Sequence, residues 1–284
     1  MKKVGITTDC VCDLPEEYLK AKDVDLIHFY ITTDTGRFKD GYEITSGNIL
    51  EYLQGGGKAE TRGPAPTDYQ AFFEKNLKRC DELIHIGVSR HVGRAYENAM
   101  AALQRMGEAG KRVTVIDSQH LSTGLGHLVT RAVEMRDGGC SATEIVEEMA
   151  RLSSRVSTTF ITESGESLRQ NNQIGPRVAR LCAFFALHPV LSVKNGRISL
   201  KMFRIGNYER SVMRYVRSEL KRGDRIDGRR LFITHAGCKL KMIAQIKAEA
   251  ERLCRFDEIV VTQASATVSG NCGPGTVGVV FIQK

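Results

Sequence analysis

The chain has 284 residues, 42% of them hydrophobic and 26% charged, an ordinary globular balance at a length that suggests two domains. It holds no run of 18 or more apolar residues, so it offers no membrane-spanning helix. Net charge is +8, but the basic residues are scattered, the densest stretch (Lys221 to Arg230) is broken by Asp224 and Asp227, and Trp is absent; this argues against nucleic-acid binding and leaves at most transient contact with an anionic membrane surface.

The opening Met1–Asp9 starts basic but lacks the apolar core and cleavage site of a signal peptide, so it predicts a cytoplasmic chain whose first strand is Val4–Thr8. Asp13-Leu14-Pro15-Glu16 opens a helix, with Asp13 as its cap and Pro15 in its first turn. Val24–Thr32 reads as a second strand. Ser46 caps a short helix that stops at Gly55-Gly56-Gly57, and Pro64–Thr67 is a turn from which Thr67 caps a helix carrying Phe72, Phe73 and Leu77. Strand Leu83–Val88, helix Gly93–Met106, strand Val113–Ile116 and helix Thr123–Met135 follow. Strand and helix alternating at this spacing predict a parallel sheet wrapped by helices.

Asp137-Gly138-Gly139 interrupts that alternation, and Ser141-Ala142-Thr143-Glu144 is a capping box starting a helix to about Leu152. The expected domains are therefore 1–152 and 153–284. In the second, Thr158–Thr162 is strand and two helical stretches are split at Gly175-Pro176. Pro189–Val193 and Arg197–Phe203 flank Lys194-Asn195-Gly196, the strongest short hairpin signal. Tyr208–Lys221 and Lys239–Cys254 are helices around the strand Leu231–Thr234, and Glu258–Thr262 and Thr276–Ile282 are closing strands. Hairpins mixed with helices predict an α+β second domain with a mostly antiparallel sheet.

Chemistry-bearing motifs are few. The eight cysteines (Cys10, Cys12, Cys80, Cys140, Cys182, Cys238, Cys254 and Cys272) form no C-x-x-C pair, so they read as free thiols, with Cys10-Val11-Cys12 the one spacing that admits a metal or redox alternative. Gly124-Leu125-Gly126 has the start of a dinucleotide turn, but its third glycine position is Val129, which bars close approach of a pyrophosphate. Seven histidines are dispersed without ligand spacing, and no metal is expected. Polar segments do collect where strands of the first domain end: Thr8-Asp9-Cys10, Thr61-Arg62-Gly63-Pro64, Ser89-Arg90-His91-Val92-Gly93 and Asp117-Ser118. In parallel α/β sheets that edge faces the ligand crevice, and helix N-termini there suit an anion. The same residues equally well make turns and caps.

These segments resemble, in order along nearly the whole chain, the motifs of the DegV family. Asp9 to Pro15 is similar to its D-S-x-x-D-L-P opening, Thr61 to Pro66 to T-S-x-P-S-P, Ser89 to Ala99 to S-S-x-L-S-G-T-Y-x-S-A, Val115 to Gly126 to I-D-S…G-x-G, Pro189 to Ile198 to K-P…x-G-x-I, and Gly270 to Gly275 to G-x-H-x-G-P-G. The resemblance implies a two-domain lipid binder with a ligand cleft between its domains. The ligand would be a long-chain fatty acid such as palmitate, or a related amphipathic acid, held without any catalytic residue or other cofactor. It also implies, for some members, presentation of the acyl carboxylate to a separate fatty acid kinase.

Carried over by position, the ligand-contacting residues are Thr61, Arg62, Ser89, Val92, Gly93, Arg94, Asn271 and Gly273. Several depart from the motifs. Arg62 stands where the family has Ser, Val92-Gly93-Arg94 where it has S-G-T, Asn271 where it has His, and Asn171-Asn172-Gln173-Ile174 where it has G-G-R-I. Asn271 donates a hydrogen bond but carries no charge, so Arg62 is expected to supply the cation, with Arg90 and Arg94 as alternatives. Two rival readings are a diverged enzyme using Arg62, His91 and Asn271 on a polar substrate, and an interaction protein without a ligand.

Overall fold

Short runs rich in Val, Ile and Leu build β1 (Val4–Asp9) and its neighbours β2 (Val24–Ile27), β6 (Glu82–Gly87) and β7 (Val113–Asp117) into one sheet of order β2-β1-β6-β7. Every pairing in it is parallel. Such a sheet is covered on both faces, and Ile6, Leu83, Ile84 and Ile86 are each at most 1% exposed. The computed structural model describes residues 3–163, 186–221 and 223–284. The predicted helices around Gly175-Pro176, the segment Asn171–Ile174 and Cys182 lie outside them.

The chain divides into two units. The first takes Met1–Ile44, Ala59–Ser154 and Asn195–Arg197, the second Thr45–Lys58, Arg155–Lys194 and Ile198–Lys284. Beside its parallel sheet the first unit carries α1 (Glu16–Ala21), β3 (Tyr30–Thr33), β4 (Gly36–Lys39), β5 (Glu60–Arg62), α3 (Pro66–Asn76), α4 (Ala95–Met106), α5 (Thr123–Asp137) and α6 (Ala142–Ser153). The sequence division at 152/153 put residues 45–58 in the first domain, whereas α2 (Ser46–Gln54) groups with the second unit. The reason is its apolar face: Ile49 and Leu50 are buried, and Ser46 Oγ lies 2.6 Å from Ser269 Oγ.

Several local expectations are corrected. The run Val24–Thr32 is two strands in two sheets: β2 joins the parallel sheet, and β3 pairs antiparallel with β4 and β5 in a three-stranded sheet. The break falls at His28-Phe29, where Phe29 N–H donates to Cys10 Sγ (3.2 Å) and Asp40 N–H to Phe29 O (2.9 Å). Asp13 is not the N-cap of α1; it ends the Cys10–Cys12 turn in the left-handed conformation (φ 53°) and accepts Ser122 Oγ at 2.5 Å. Thr45, not Ser46, caps α2, and α3 starts at Pro66 with Asp68 bonding back to Ala65 N–H. The Ser141–Glu144 capping box is present as predicted. Gly126 lies inside α5, where a Cβ would sit 2.9 Å from Cys12 O. Close packing of α5 on the Cys10–Cys12 turn therefore accounts for the glycine.

In the second unit β8 (Val156–Ile161), β9 (Leu187–Lys194), β10 (Arg197–Ile205), β11 (Ile226–His235), β12 (Glu258–Gln263) and β13 (Val277–Gln283) form a sheet of order β10-β9-β8-β13-β11-β12. The β8–β9, β8–β13 and β11–β13 pairings are antiparallel, and β11–β12 is parallel around α8 (Leu240–Leu253). With α7 (Tyr208–Leu220), the helix α8 covers a core centred on Tyr215. That buried phenol donates to Thr159 O (2.8 Å) and accepts Val279 N–H (3.0 Å). The predicted Asn195-Gly196 turn forms with positive φ at both residues (50° and 77°), the type I′ signature.

Candidate functional site

β1 lies between β2 and β6, so the connections leaving the carboxyl ends of β1 and β6 part to opposite sides, the switch point at which parallel α/β sheets place a ligand crevice. After β1 come the tight turn Cys10–Cys12 and Asp13; after β6 comes the loop Val88–Arg94, leading into α4. The start of that loop is pinned. Val88 N–H donates to Asp9 Oδ2 (2.7 Å), Ser89 N–H to His120 O (2.8 Å), and Arg90 Nε to Asp117 Oδ2 (2.7 Å). Its end, His91 to Arg94, is exposed.

Ser89, a predicted ligand contact, is 1% exposed and already engaged. Its hydroxyl donates to Gly196 O (2.7 Å) and accepts His91 N–H (3.2 Å). Its one donor is spent on Gly196 O, and the bond shapes the loop.

Thr61 and Arg62 lie on β5, opposite Ile31 and Tyr30 of β3. Consecutive strand residues point to opposite faces, so the half-buried Thr61 and the exposed Arg62 do not flank one atom from the same side. The following turn reaches α4: Asn98 Nδ2 donates to Pro64 O (2.7 Å), and a Cβ at Gly63 would lie 3.3 Å from Ala95 Cβ. The structure thus brings the Thr61–Pro64 segment beside the first turn of α4, whose N-cap, Arg94, makes no side-chain capping bond. Amide groups at such a helix start suit an anion. Val92, 42% exposed, and Gly93 complete that approach.

Asn271 and Gly273 belong to the second unit, at the end of α9 (Ala266–Cys272). Asn271 Nδ2 donates to Thr267 O (2.7 Å), Gly273 N–H to Ser269 O (2.8 Å), and Thr276 Oγ1 to Cys272 O (3.0 Å). Gly273 and Gly275 both have positive φ (85° and 75°), and Tyr208 OH donates to Gly275 O at 2.5 Å. The glycine-rich loop is therefore a held turn.

Sequence reasoning missed the polar cluster beneath the crevice. Asp9, Tyr69 and His85 are each at most 1% exposed. Tyr69 OH donates to Asp9 Oδ1 (2.8 Å), His85 Nε2 stands 3.4 Å from the same oxygen, and His85 Nδ1 lies 3.2 Å from Thr7 Oγ1. Thr7 and Asp9, polar at alternate positions of a strand otherwise set in the core, were the available signal. Burial pushes the Cys10 thiol well up and Cys12 up to about 12, so both stay protonated thiols of low reactivity. Among the described residues no group of three His, Cys, Asp or Glu is placed to hold a metal ion.

A parallel-sheet unit and a second unit with a largely antiparallel sheet define a two-unit α/β architecture. The model of the DegV family of uncharacterised proteins matches residues 3–284, and the chain belongs to that family. It is similar to a DegV domain-containing protein of Deinococcus radiodurans, 26% identical over 292 residues and covering 97% of each chain. Among solved structures it resembles a fatty-acid-binding DegV family protein from Thermus thermophilus (TM-score 0.86, 25% identity, 99% of this chain and 100% of that one). It shares its fold with the fatty acid binding protein DegV of Bacillus subtilis (TM-score 0.81, 18% identity, 100% of both chains). The same holds for a Eubacterium eligens DegV family protein loaded with heptadecanoic acid (TM-score 0.86, 18% identity, 99% of this chain and 100% of that one).

Proposed function

We propose that this chain binds a long-chain fatty acid, or a related amphipathic carboxylic acid, performs no chemistry on it, and presents its carboxylate to a partner such as a fatty acid kinase. The observation that carries the reading is the end-to-end likeness to the fatty-acid-binding protein of Thermus thermophilus. Physical chemistry supports it. Each buried methylene contributes ~0.8 kcal/mol, so an acyl chain supplies affinity in bulk. The head group then needs only a few oriented polar groups. Thr61 and the start of α4 are the candidates in the first unit, Asn271 and Gly273 in the second. The imidazole–carboxylate pair His85–Asp9 is sealed in the core, out of reach of a polar substrate.

Native mass spectrometry of the purified protein tests this, followed by delipidation and reloading with palmitate. A bound mass in the fatty-acid range that returns on reloading is the expected result. A polar metabolite, or a protein that stays empty with excess palmitate, would overturn it.

A further inference from the structure

Both segments that converge at the crevice are tied to one buried side chain. Asp9 closes β1, is 0% exposed, and stands at the end of the strand where the connections of β1 and β6 part. Its Oδ2 takes Val88 N–H, the first amide of the Val88–Arg94 loop. Its Oδ1 takes the hydroxyl of Tyr69, which sits one turn into α3, the helix that leaves the Thr61–Pro64 turn. The neighbouring Cys10 Sγ takes Phe29 N–H, and Phe29 packs 3.6 Å from a Cβ built at Gly63.

We propose that Asp9 is the positioning residue of the ligand site, a buried hub that sets the Thr61 segment and the Val88–Arg94 loop in register with each other. It touches no ligand itself. The inference rests on the fatty-acid reading for its functional consequence, but the geometry it describes does not.

The chemistry favours a carboxylate here. It is acceptor-only, with two oxygens, so it receives an amide and a phenol at once without a competing donor. Bonds to an ionised acceptor are the short, strong ones. Room is also matched: a Cβ at Gly87 would lie 3.3 Å from Asp9 Oδ2, tighter than ordinary contact, so the strand beside it yields no space for a larger group. His85 lies on the remaining side, its Nε2 3.4 Å from Oδ1, and is itself held at Nδ1 by Thr7. A hub of this kind moves both segments together when it is altered, because low-dielectric polar networks are set as units.

The test uses the full chain and two variants, with cis-parinaric acid as probe. Tyr69→Phe removes only the hydroxyl of one spoke; Asp9→Asn keeps the shape and the acceptor for Val88 but introduces a donor facing Tyr69 and His85. Probe affinity should fall by about threefold in Tyr69→Phe and about tenfold in Asp9→Asn, measured where both are fully folded. Amide exchange in Val88–Arg94 should speed up in both while β13 and α8 are unchanged. A residue with only a packing role would lower the melting temperature and leave the probe affinity alone. Wild-type affinity together with wild-type exchange in Tyr69→Phe overturns the proposal, even if Asp9→Asn fails to fold. A wild type that does not bind the probe overturns the fatty-acid reading instead, and loop exchange in Tyr69→Phe then decides the positioning role by itself.

Discussion

Replacing Gly196 with alanine probes the turn that holds Ser89. At Gly196 φ is +77°, and a Cβ there would lie 2.5 Å from Ser89 Oγ and 2.9 Å from His91 Cδ2. A residue other than glycine in the left-handed region costs roughly 1–2 kcal/mol. The collision also drives Ser89 Oγ off Gly196 O, its partner at 2.7 Å, a bond worth about 0.5–1.5 kcal/mol. Together Gly196→Ala should destabilise the first unit by about 2–3 kcal/mol. Ser89→Ala alone loses the hydrogen bond and should cost about 1 kcal/mol. In the double variant the nearest remaining atom of residue 89 is Cβ, 3.6 Å from the new methyl, so the oxygen collision is gone. The pair should therefore be less costly than the two single changes added, by about 1 kcal/mol. Urea unfolding followed by far-UV circular dichroism measures all four proteins. Strict additivity, or a cost below about 0.5 kcal/mol for Gly196→Ala, refutes the reasoning.

Other outcomes follow from the same geometry. Thr61→Val should weaken palmitate binding about tenfold, the loss of one hydrogen bond to a charged acceptor, while Arg62→Ser, on the opposite face of β5, should change it by less than about threefold; isothermal titration reads both. Tyr215→Phe strands Thr159 O and Val279 N–H in the second core and should cost about 1–3 kcal/mol in urea unfolding. Hydrogen bonds from Arg252 and then Arg217 hold Glu249 down to about 2 from its ordinary 4.5; the stabilisation is present above that ordinary value and lost as pH falls from 4.5 towards 2, so Glu249→Gln should flatten the acid limb of a melting-temperature curve over that window. Asn271→His should make fatty-acid binding pH-dependent, tightest at low pH.

Much of the fold was legible because periodicity and turn chemistry act locally. The Ser141–Glu144 box, the Asn195-Gly196 turn and the strands β1, β6 and β7 all declare themselves within a few residues. What stayed hidden depends on partners far along the chain. Val24 to Thr33 contains no glycine or proline to mark a break; the chain changes sheets there because Cys10 and Asp40 claim the backbone of Phe29. Residues 45–58 follow the first unit's strands in sequence but bury Ile49 against Gly270. At the site, motif position named Ser89 yet not its occupation by Gly196, 107 residues away. It could not show that Arg62 leaves β5 on the face away from Thr61. Asp9 was visible as part of a motif, but its bonds to Tyr69 and Val88 belong to the folded state.

Asn271 is where a single change separates charge from shape. Its amide bonds Thr267 O, but the end of α9 is also held by Gly273 N–H on Ser269 O and by Thr276 Oγ1 on Cys272 O, so the turn should survive Asn271→His. An imidazole facing a carboxylate is favoured in its charged form, which raises its pKa above the ordinary ~6.5. Binding then takes up a proton. The added affinity is fully present below the free ring's pKa and is lost as pH rises through the higher value of the complex. A hydrogen bond between charged partners is worth about 1.5–3 kcal/mol, so affinity at about pH 5.5 should exceed that of the natural protein by about tenfold to a hundredfold. At about pH 8 the two should converge, since a neutral ring offers what the amide already does. Asn271→Gln, neutral at every pH, controls for altered shape. A fluorescent fatty acid titrated into the three proteins at both pH values reads the difference directly. If Asn271→His binds no better than the natural chain at low pH, the carboxylate is not held at the glycine-rich loop. The head group must then be sought at Thr61 and the first turn of α4.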